Sequence, residues 1–269
     1  MSTGSRVLDG IKVLDVGTWV ASPAAPTIMS DFGAEVIKIE PPRTGDPYRQ
    51  LPAVPGMPLS EHNYSWLLDS RNKKSLALDV TRPEGRDVLQ ALVARADVFV
   101  TNFPPALLAR LGLTYEDLSP VNPRLVYASL TAYGEVGDEA NKPGFDVNAW
   151  WARSGMMDLV RPAGAPPTIS LPGMGDHPTS VALFASIMLG LYQRLRTGRG
   201  SKVSSSLMAS GAWANSIFIQ AMLCGATLVE RPPRALREVD RYQECLGQGR
   251  FLWLAHSCLR TADSLAGVR

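Results

Sequence analysis

Short runs of consecutive apolar residues alternate along the chain with segments in which apolar residues recur every three or four positions. We predict strands from the apolar runs at residues 11–17, 34–42, 74–80, 97–103, 124–134 and 202–207. We predict helices from the amphipathic segments at residues 24–32, 83–96, 105–113, 147–159, 178–197 and 209–224. Strands that are apolar at nearly every position indicate a parallel sheet buried on both faces. The pattern therefore predicts an α/β fold, a Rossmann-like parallel sheet with helices on both faces.

The alternation of strands and helices stops near residue 225. The segment that follows is polar and is interrupted by Pro232 and Pro233. We therefore predict one large domain over residues 1–225 and a tail over residues 226–269 that lies outside it.

Charge and hydropathy narrow the classes of partner. The net charge is only +2 and the basic residues are scattered, so we expect no nucleic-acid partner. The longest apolar run, residues 181–192, is well short of the roughly 20 residues that cross a bilayer, so we expect no membrane span. Three cysteines without close spacing and an N-terminus without an export signal predict a cytoplasmic protein.

The stretch PGMGDHPTS holds the sharpest candidate for chemistry. Gly173 and Gly175 bring Asp176 and His177 to the start of a helix whose first turn contains Pro178. The positive end of the helix dipole favours an ionised carboxylate there, as a nucleophile requires. The alternative is that Asp176 caps the helix. His177 is either a general acid or base, or a cap or surface residue at the helix start.

Three other segments carry weaker candidates. Asp146 follows a Pro-Gly turn and precedes a helix, so it is either an N-cap or a second acid near Asp176. The stretch NFPPALLAR, residues 102–110, offers an amide, an aromatic ring and a guanidinium suited to adenine and phosphate, or it is an ordinary turn from strand to helix. The basic run RNKKS, residues 71–75, either attracts phosphates or forms a solvated face.

The motifs of several common α/β enzymes do not occur. The sequence has no GxGxxG after the first predicted strand, no GxSxG and no phosphate loop that ends in GK followed by Ser or Thr. Glu40 ends the second predicted strand, where a dinucleotide fold places its ribose-binding acid, but the first turn reads GTWVASPAA and is not rich in glycine. Nucleotide hydrolysis and NAD-dependent redox chemistry are therefore poor fits.

From about Leu8 to about Gly225 the sequence resembles the family III CoA-transferases, which include formyl-CoA and carnitine CoA-transferases and the related 2-methylacyl-CoA racemases. The resemblance rests, in order, on LDGIKVLDVG, FGAEVIKIEPP with GDPYR, NKKSLALDV, DVFVTNFPPALLARLGL, NPRLVYASLTAYG, GFDVNAWWARSGMM, GDHPTS and LYQRLRTGRGSKV. So many ordered matches are specific to this family.

The resemblance implies that Asp176 carries the acyl group as a mixed anhydride and then CoA as a thioester. Asp146 matches an acidic position near that carboxylate, which implies a supporting role. His177 is given a supporting role on its own chemistry and not on the resemblance. The substrates are an acyl-CoA thioester and a small carboxylic acid, and neither a metal nor a permanently bound cofactor is required. Positions that match CoA-contacting residues of the family are Trp19, Leu78, Thr81, Asn102, Phe103, Leu107 and Arg110.

The resemblance also carries expectations about assembly and alternatives. Family members form interlocked homodimers and continue into a small domain, which we expect this truncated sequence to lack. In the racemase branch a histidine precedes the acid that Asp146 matches, whereas here Phe145 stands in that place, which favours transfer over racemisation. The remaining alternatives are a racemase-like enzyme and an inactive remnant that only binds CoA.

Overall fold

A computed structural model describes residues 6–228, 242–247 and 250–255. Six strands form the main sheet, and they are β1 (Lys12–Asp15), β2 (Glu35–Glu40), β3 (Lys73–Ala77), β4 (Val98–Thr101), β5 (Val126–Thr131) and β6 (Ser201–Ser206). Two more strands, β7 (Tyr242–Gly247) and β8 (Arg250–Ala255), pair antiparallel with each other in a separate sheet. The predicted tail at residues 226–269 lies mostly outside the described residues, so the domain division stays a prediction.

The six strands run in the order β3-β2-β1-β4-β5-β6 and every pairing between neighbours is parallel. This is the strand order of a doubly wound Rossmann-type sheet, and the direction of winding reverses between β1 and β4. In such sheets ligands bind at the carboxyl ends of the strands beside that reversal, which is called the topological switch point. The predicted parallel α/β fold is confirmed.

Helices cover both faces of the sheet. They are α1 (Ala24–Asp31), α2 (Tyr64–Asp69), α3 (Pro83–Val93), α4 (Pro105–Leu111), α5 (Tyr115–Leu118), α6 (Met156–Leu159), α7 (Asp176–Thr197), α8 (Leu207–Ala214) and α9 (Ser216–Leu223). One apolar cluster joins the sheet to α1 and α7, and a second joins it to α3, α4 and α5. Successive strand residues point into opposite clusters, as the pair Val98 and Phe99 does, which explains the continuous apolar runs in the sequence.

Several predicted boundaries are wrong, and the structure gives the reasons. The predicted helix at residues 147–159 is a π-helix (Asp146–Ala152) followed by α6, because Gly155 takes a left-handed backbone, φ +85°, between them. The predicted helix at residues 209–224 is divided into α8 and α9 at Asn215, whose side chain donates to Ser154 O at 2.7 Å.

The segment between β2 and β3 holds two elements that the sequence pattern did not predict. A 3₁₀ helix (Pro47–Ala53) begins where Asp46 accepts a hydrogen bond from the backbone of Tyr48, and α2 begins where Asn63 caps Trp66. Both are too short to show a helical repeat in the sequence. Among the described residues, none of the helices has the length and apolar character that a bilayer span requires.

Candidate active site

A cleft lies at the switch point of the sheet, between the loops that follow β1 and β4. Asn102, just after β4, fastens these two loops together, because its side chain accepts from Thr18 N at 2.9 Å and donates to Thr18 O at 2.8 Å. The cleft is lined by Thr18, Trp19, Val20, Ala21, Asn102, Pro104, Pro105, Leu130, Thr131, Ala132, Ala140, Lys142, Pro143, Gly144, Phe145, Asp176 and Leu207. Its walls are mostly apolar, and of the lining residues just named Asp176 alone carries a carboxylate.

Asp176 is the first residue of α7 and is half-buried at the cleft. The residue before it, Gly175, occupies the N-cap position without any side-chain cap, so the alternative interpretation of Asp176 as a helix cap is wrong. Glycine is required at 175 because a Cβ atom there would lie 2.6 Å from Cγ of Trp150. The close approach of the Trp150 ring thus fixes where α7 starts.

Asp146 meets the start of α7 from the π-helix. Its Oδ2 accepts a hydrogen bond from Gly175 N at 3.2 Å, and the side chain is buried. It therefore caps α7 across the fold and is not the N-cap of its own helical segment, whose N-cap position is held by Phe145. The prediction that Asp146 lies near Asp176 is consistent with this geometry.

Burial raises the pKa of Asp176 to about 7, and the negative charge of Asp146 adds to the increase. The prediction that the helix N-terminus would keep this carboxyl readily ionised is therefore wrong, because burial and the charge of Asp146 both raise its pKa. At neutral pH the protonated and ionised forms of Asp176 are both well populated. A carboxyl of this kind is a better base and nucleophile than an exposed aspartate once it is ionised.

Trp19 and Phe145 form an aromatic wall of the cleft. Their ring centroids are 5.6 Å apart and the rings meet edge to face. Trp19 has a left-handed backbone, φ 63°, which is unfavourable for a residue with a side chain. The backbone N–H of Trp19 donates to Oδ1 of Asp46 at 3.0 Å, so a buried carboxylate holds the strained turn in place.

A buried set of charges supports that turn from below. Lys38 Nζ lies 2.9 Å from Oδ2 of Asp46 and 3.7 Å from Oδ1 of Asp15, and it also donates to Gly17 O. Lys73 Nζ lies 2.9 Å from Oδ2 of Asp15. The interpretation of RNKKS as a solvated face is therefore wrong for Lys73, whose side chain is almost fully buried.

The Glu40 carboxylate is already paired with other groups of the protein. Both of its oxygens accept hydrogen bonds from Arg49 at 2.8 Å, and Ser75 donates to Oε1 at 2.8 Å. Burial acts to raise the pKa of Glu40, but the hydrogen bonds from Arg49, the Asp46 backbone and Ser75 hold it at about 2. A carboxylate occupied in this way fits the sequence argument against a ribose-binding role.

His177 does not line the cleft with Asp176. Its Nε2 lies 3.1 Å from Oδ1 of Asp69, the last residue of α2, and Tyr48 OH donates to Oδ2 of the same carboxylate at 2.6 Å. Asp69 and Tyr48 were not found from the sequence, because the contact joins residues 108 positions apart. The sequence signals were indirect: Tyr48 lies in the GDPYR motif, and Asp69 lies in the HNYSWLLDS stretch before the third strand.

The residues predicted to contact CoA fall into separate groups. Trp19 and Asn102 line the cleft with Asp176. Leu78, Phe103 and Leu107 instead pack against the apolar cluster beneath α3 and α4. Arg110, in the last turn of α4, and Thr81, whose hydroxyl donates to Asp79, are exposed.

The fold and the cleft define a doubly wound α/β domain that presents a half-buried carboxylate at its switch point. The chain belongs to CoA-transferase family III, whose family model matches residues 8–249. The match continues past residue 225, where the resemblance read from the motifs ended.

Curated relatives and a solved structure agree with this assignment. The chain is 39% identical over 222 residues, 82% of its length, to cinnamoyl-CoA:phenyllactate CoA-transferase of Clostridium sporogenes, and covers 54% of that protein. It is 37% identical over 239 residues, 88% of its length, to human succinyl-CoA:glutarate CoA-transferase, and covers 53% of it. It matches the crystal structure of a CAIB/BAIF family protein from Brucella suis with a TM-score of 0.81 and 28% identity, covering 98% of this chain and 70% of that one. The chain thus spans about half the length of these curated relatives.

Proposed function

We propose that the protein transfers CoA between an acyl-CoA and a free carboxylic acid, with Asp176 as the nucleophile. The observation that supports this most directly is a half-buried carboxyl with a pKa of about 7 that opens into an apolar cleft at the switch point. An apolar cleft suits the pantetheine arm and the acyl chain of a thioester. The curated relatives are named as CoA-transferases for several different acids, so the donor and acceptor classes here are an acyl-CoA and a small carboxylic acid.

The proposed reaction has four steps. Ionised Asp176 attacks the thioester carbonyl, a C–O bond forms, the C–S bond breaks, and CoA leaves as a thiolate. The thiolate then attacks the Asp176 carbonyl of the mixed anhydride and releases the donor acid as a carboxylate. The acceptor carboxylate attacks the resulting aspartyl-CoA thioester and again frees the thiolate. Attack of that thiolate on the acceptor carbonyl gives the new acyl-CoA and restores Asp176. Each step exchanges one anionic group for another, so no metal or redox cofactor is required.

The position of Asp146 fits a supporting role in this scheme. It fixes the first turn of α7 through Gly175 N, and its charge helps to keep the pKa of Asp176 near 7. Such a carboxylate is a strong enough nucleophile to attack a thioester and still departs in the last step. A lower pKa would weaken the attack.

The CoA-contacting set and the assembly belong to the same proposal. We place the reactive end of CoA beside Trp19 and Asn102, with Leu78, Thr81, Phe103, Leu107 and Arg110 on the side of the nucleotide. Arg110 is exposed and so is open to a phosphate group. By analogy with the family we propose a homodimer in the cytoplasm.

Phe145 distinguishes transfer from racemisation. Its ring lines the cleft with Asp176 and has no exchangeable proton, so this pair cannot pass a proton between the two faces of an α-carbon. Incubation of an α-methylacyl-CoA in D₂O without an acceptor acid is therefore expected to give no deuterium at the α-carbon. Incorporation at a rate comparable to transfer would instead establish the racemase-like alternative.

Oxygen labelling tests the mechanism directly. With an acceptor acid whose carboxylate carries ¹⁸O, the last step leaves one acceptor oxygen on Asp176, so a peptide containing residue 176 gains one ¹⁸O in the first turnover and at most two after many turnovers. Hydroxylamine should also trap an acyl-CoA-dependent adduct at Asp176. Asp176→Asn is the matched control, and it is expected to lose both signals together with transfer. Transfer that proceeds without label at Asp176 would refute the mechanism, and CoA binding without turnover would identify the inactive remnant.

A further inference from the structure

His177 and Asp69 form a contact that the proposed mechanism does not use. The Nε2 atom of His177 lies 3.1 Å and 3.3 Å from the two oxygens of Asp69. The Asp69 side chain is 4% exposed, and its Oδ2 also accepts from Tyr48 OH at 2.6 Å. A carboxylate buried this deeply with one neutral donor needs a positive partner. The imidazole of His177 is in direct contact with it and can supply that charge.

The other cations near Asp69 are already committed to different carboxylates. Arg71 pairs with Asp31, its NH2 group lying 2.6 Å from Oδ2, and Lys73 pairs with Asp15 at 2.9 Å. Both still act on Asp69 at longer range. The hydrogen bond to Asp69 raises the pKa of His177, and the charges of Asp69 and Asp176 act in the same direction.

Contacts with the backbone of the preceding loop hold His177 in place, in addition to its contact with the Asp69 carboxylate. The His177 N–H donates to Gly173 O at 3.1 Å, and a Cβ atom at Gly173 would lie 3.1 Å from two ring atoms of His177. The imidazole is therefore held against the loop before α7. Its Nε2 proton points to Asp69 and not into the cleft, which makes it a poor general acid for a substrate bound beside Asp176.

The charges around Asp176 explain why a nearby cation matters. Asp146 and Asp69 are negative and disfavour its ionisation, whereas His177 favours it. We propose that Asp69 and His177 are a positioning pair that keeps a positive charge beside Asp176, so that Asp176 is ionised when it attacks and when it leaves. This inference rests on the proposed function for its catalytic meaning, but the ion pair itself can be measured without turnover.

The test uses three variants of the full chain. His177→Gln removes the positive charge, Asp69→Asn removes the carboxylate that retains it, and His62→Gln is the matched control because His62 is an exposed histidine outside the cleft. NMR titration of the imidazole signals and of the Asp176 carboxyl carbon gives both pKa values in the absence of substrate. Profiles of kcat/KM against pH give the catalytic counterpart. Far-UV circular dichroism and urea unfolding confirm that each variant folds.

The expected results separate a charge effect from a structural effect. In Asp69→Asn the pKa of His177 should fall by about one unit or more, and in His177→Gln the pKa of Asp176 should rise by about one unit. The acidic limb of kcat/KM in His177→Gln should move to higher pH by the same amount, which is about a tenfold loss below that limb. His62→Gln should match the parent protein in both measurements.

Three results would overturn the inference, two from the pKa measurements and one from the rate profiles. One is a pKa of His177 that stays the same in Asp69→Asn, and the other is a pKa of Asp176 that stays the same in His177→Gln. A loss of rate that is equal at every pH would likewise show that the pair only maintains the fold. If Asp176 instead carried no label in the oxygen experiment while both pKa values moved as expected, the mechanism would fail and the ion pair would stand.

Discussion

Two pairs of aspartates near the cleft differ in how far neighbouring cations compensate their charge. Asp15 and Asp46 lie below the floor of the cleft, whereas Asp146 and Asp176 lie at its edge. Asp15 and Asp46 are fully buried and lie within ion-pair distance of Lys38 or Lys73. For Asp176 the nearby acids raise the pKa, and His177, which lowers it, is hydrogen-bonded to another carboxylate. The same side chain is therefore structural where lysines neutralise it and poised for chemistry where burial is left uncompensated.

Asp15→Asn should produce the largest change in stability. The substitution leaves Lys73 buried without its nearest carboxylate, which lies 2.9 Å away in the parent protein. Removing one partner of a buried pair typically costs about 3–5 kcal/mol. Urea unfolding at pH 7 measures the loss. A change below about 1 kcal/mol would show that the buried pairs do not hold the cleft floor together.

Asp176→Asn should increase the stability of the fold at neutral and alkaline pH, in contrast to the loss expected for Asp15→Asn. The fold raises the pKa of Asp176 from 3.8 to about 7, so its favourable contribution is complete below about pH 4 and is lost as the pH rises to about 7. The amide has no such dependence. We expect the variant to be more stable than the parent protein by about 1–2 kcal/mol at pH 8, while transfer is lost.

Unfolding curves between pH 4 and pH 8 measure this difference. The gain should shrink as the pH falls towards pH 4, where Asp176 is protonated in the folded state and begins to be protonated in the unfolded state as well. A variant that is less stable at pH 8 would mean that ionised Asp176 stabilises the fold, contrary to the comparison with Asp15.

Asp146→Asn should change the pH dependence of transfer more than it changes stability. Burial is the main cause of the raised pKa of Asp176 and Asp146 is the second, so removing this charge should lower the acidic limb of kcat/KM by about one pH unit or less. The amide oxygen can still accept from Gly175 N, which keeps the start of α7 in place. An acidic limb that stays near pH 7 would assign the whole shift to burial.

Glu35→Gln should have the smallest effect. Glu35 pairs with Lys74 on the neighbouring strand, but both side chains are exposed. It is the matched carboxylate-to-amide control for Asp15→Asn, because solvent already screens the charge that is removed. We expect the urea midpoint to stay within experimental error of that of the parent protein. A loss of stability as large as that of Asp15→Asn would show that burial does not determine how much these carboxylates stabilise the fold.

The sheet could be predicted from the sequence because its signal is local. Each strand is a short apolar run, and the two neighbours Val98 and Phe99 show how one run supplies both faces of the core. The interruption of the helical segments at Gly155 and Asn215 could not be predicted in the same way. Asn215 depends on a contact with Ser154 that only the folded chain creates.

The site was predicted in part. Asp176 and Asp146 were identified by the glycine-rich turn, by the resemblance to the family and by their places at helix starts. The direction of the Asp176 pKa shift was wrong because a dipole can be inferred from helix position, whereas the amount of buried surface around a carboxyl cannot. Asp69 and Tyr48 stayed hidden because nothing local marks a residue that acts on His177 from another element.

The left-handed backbone at Trp19 limits how this cleft can be redesigned. Most side chains are unfavourable at φ 63°, and β-branched ones are the worst, so position 19 offers few replacements that keep its loop intact. The opposite half of the aromatic wall, Phe145, has an ordinary extended backbone, φ −113° and ψ 172°. Efforts to change which acids the pocket accepts should therefore vary residue 145 and leave residue 19 as the fixed side.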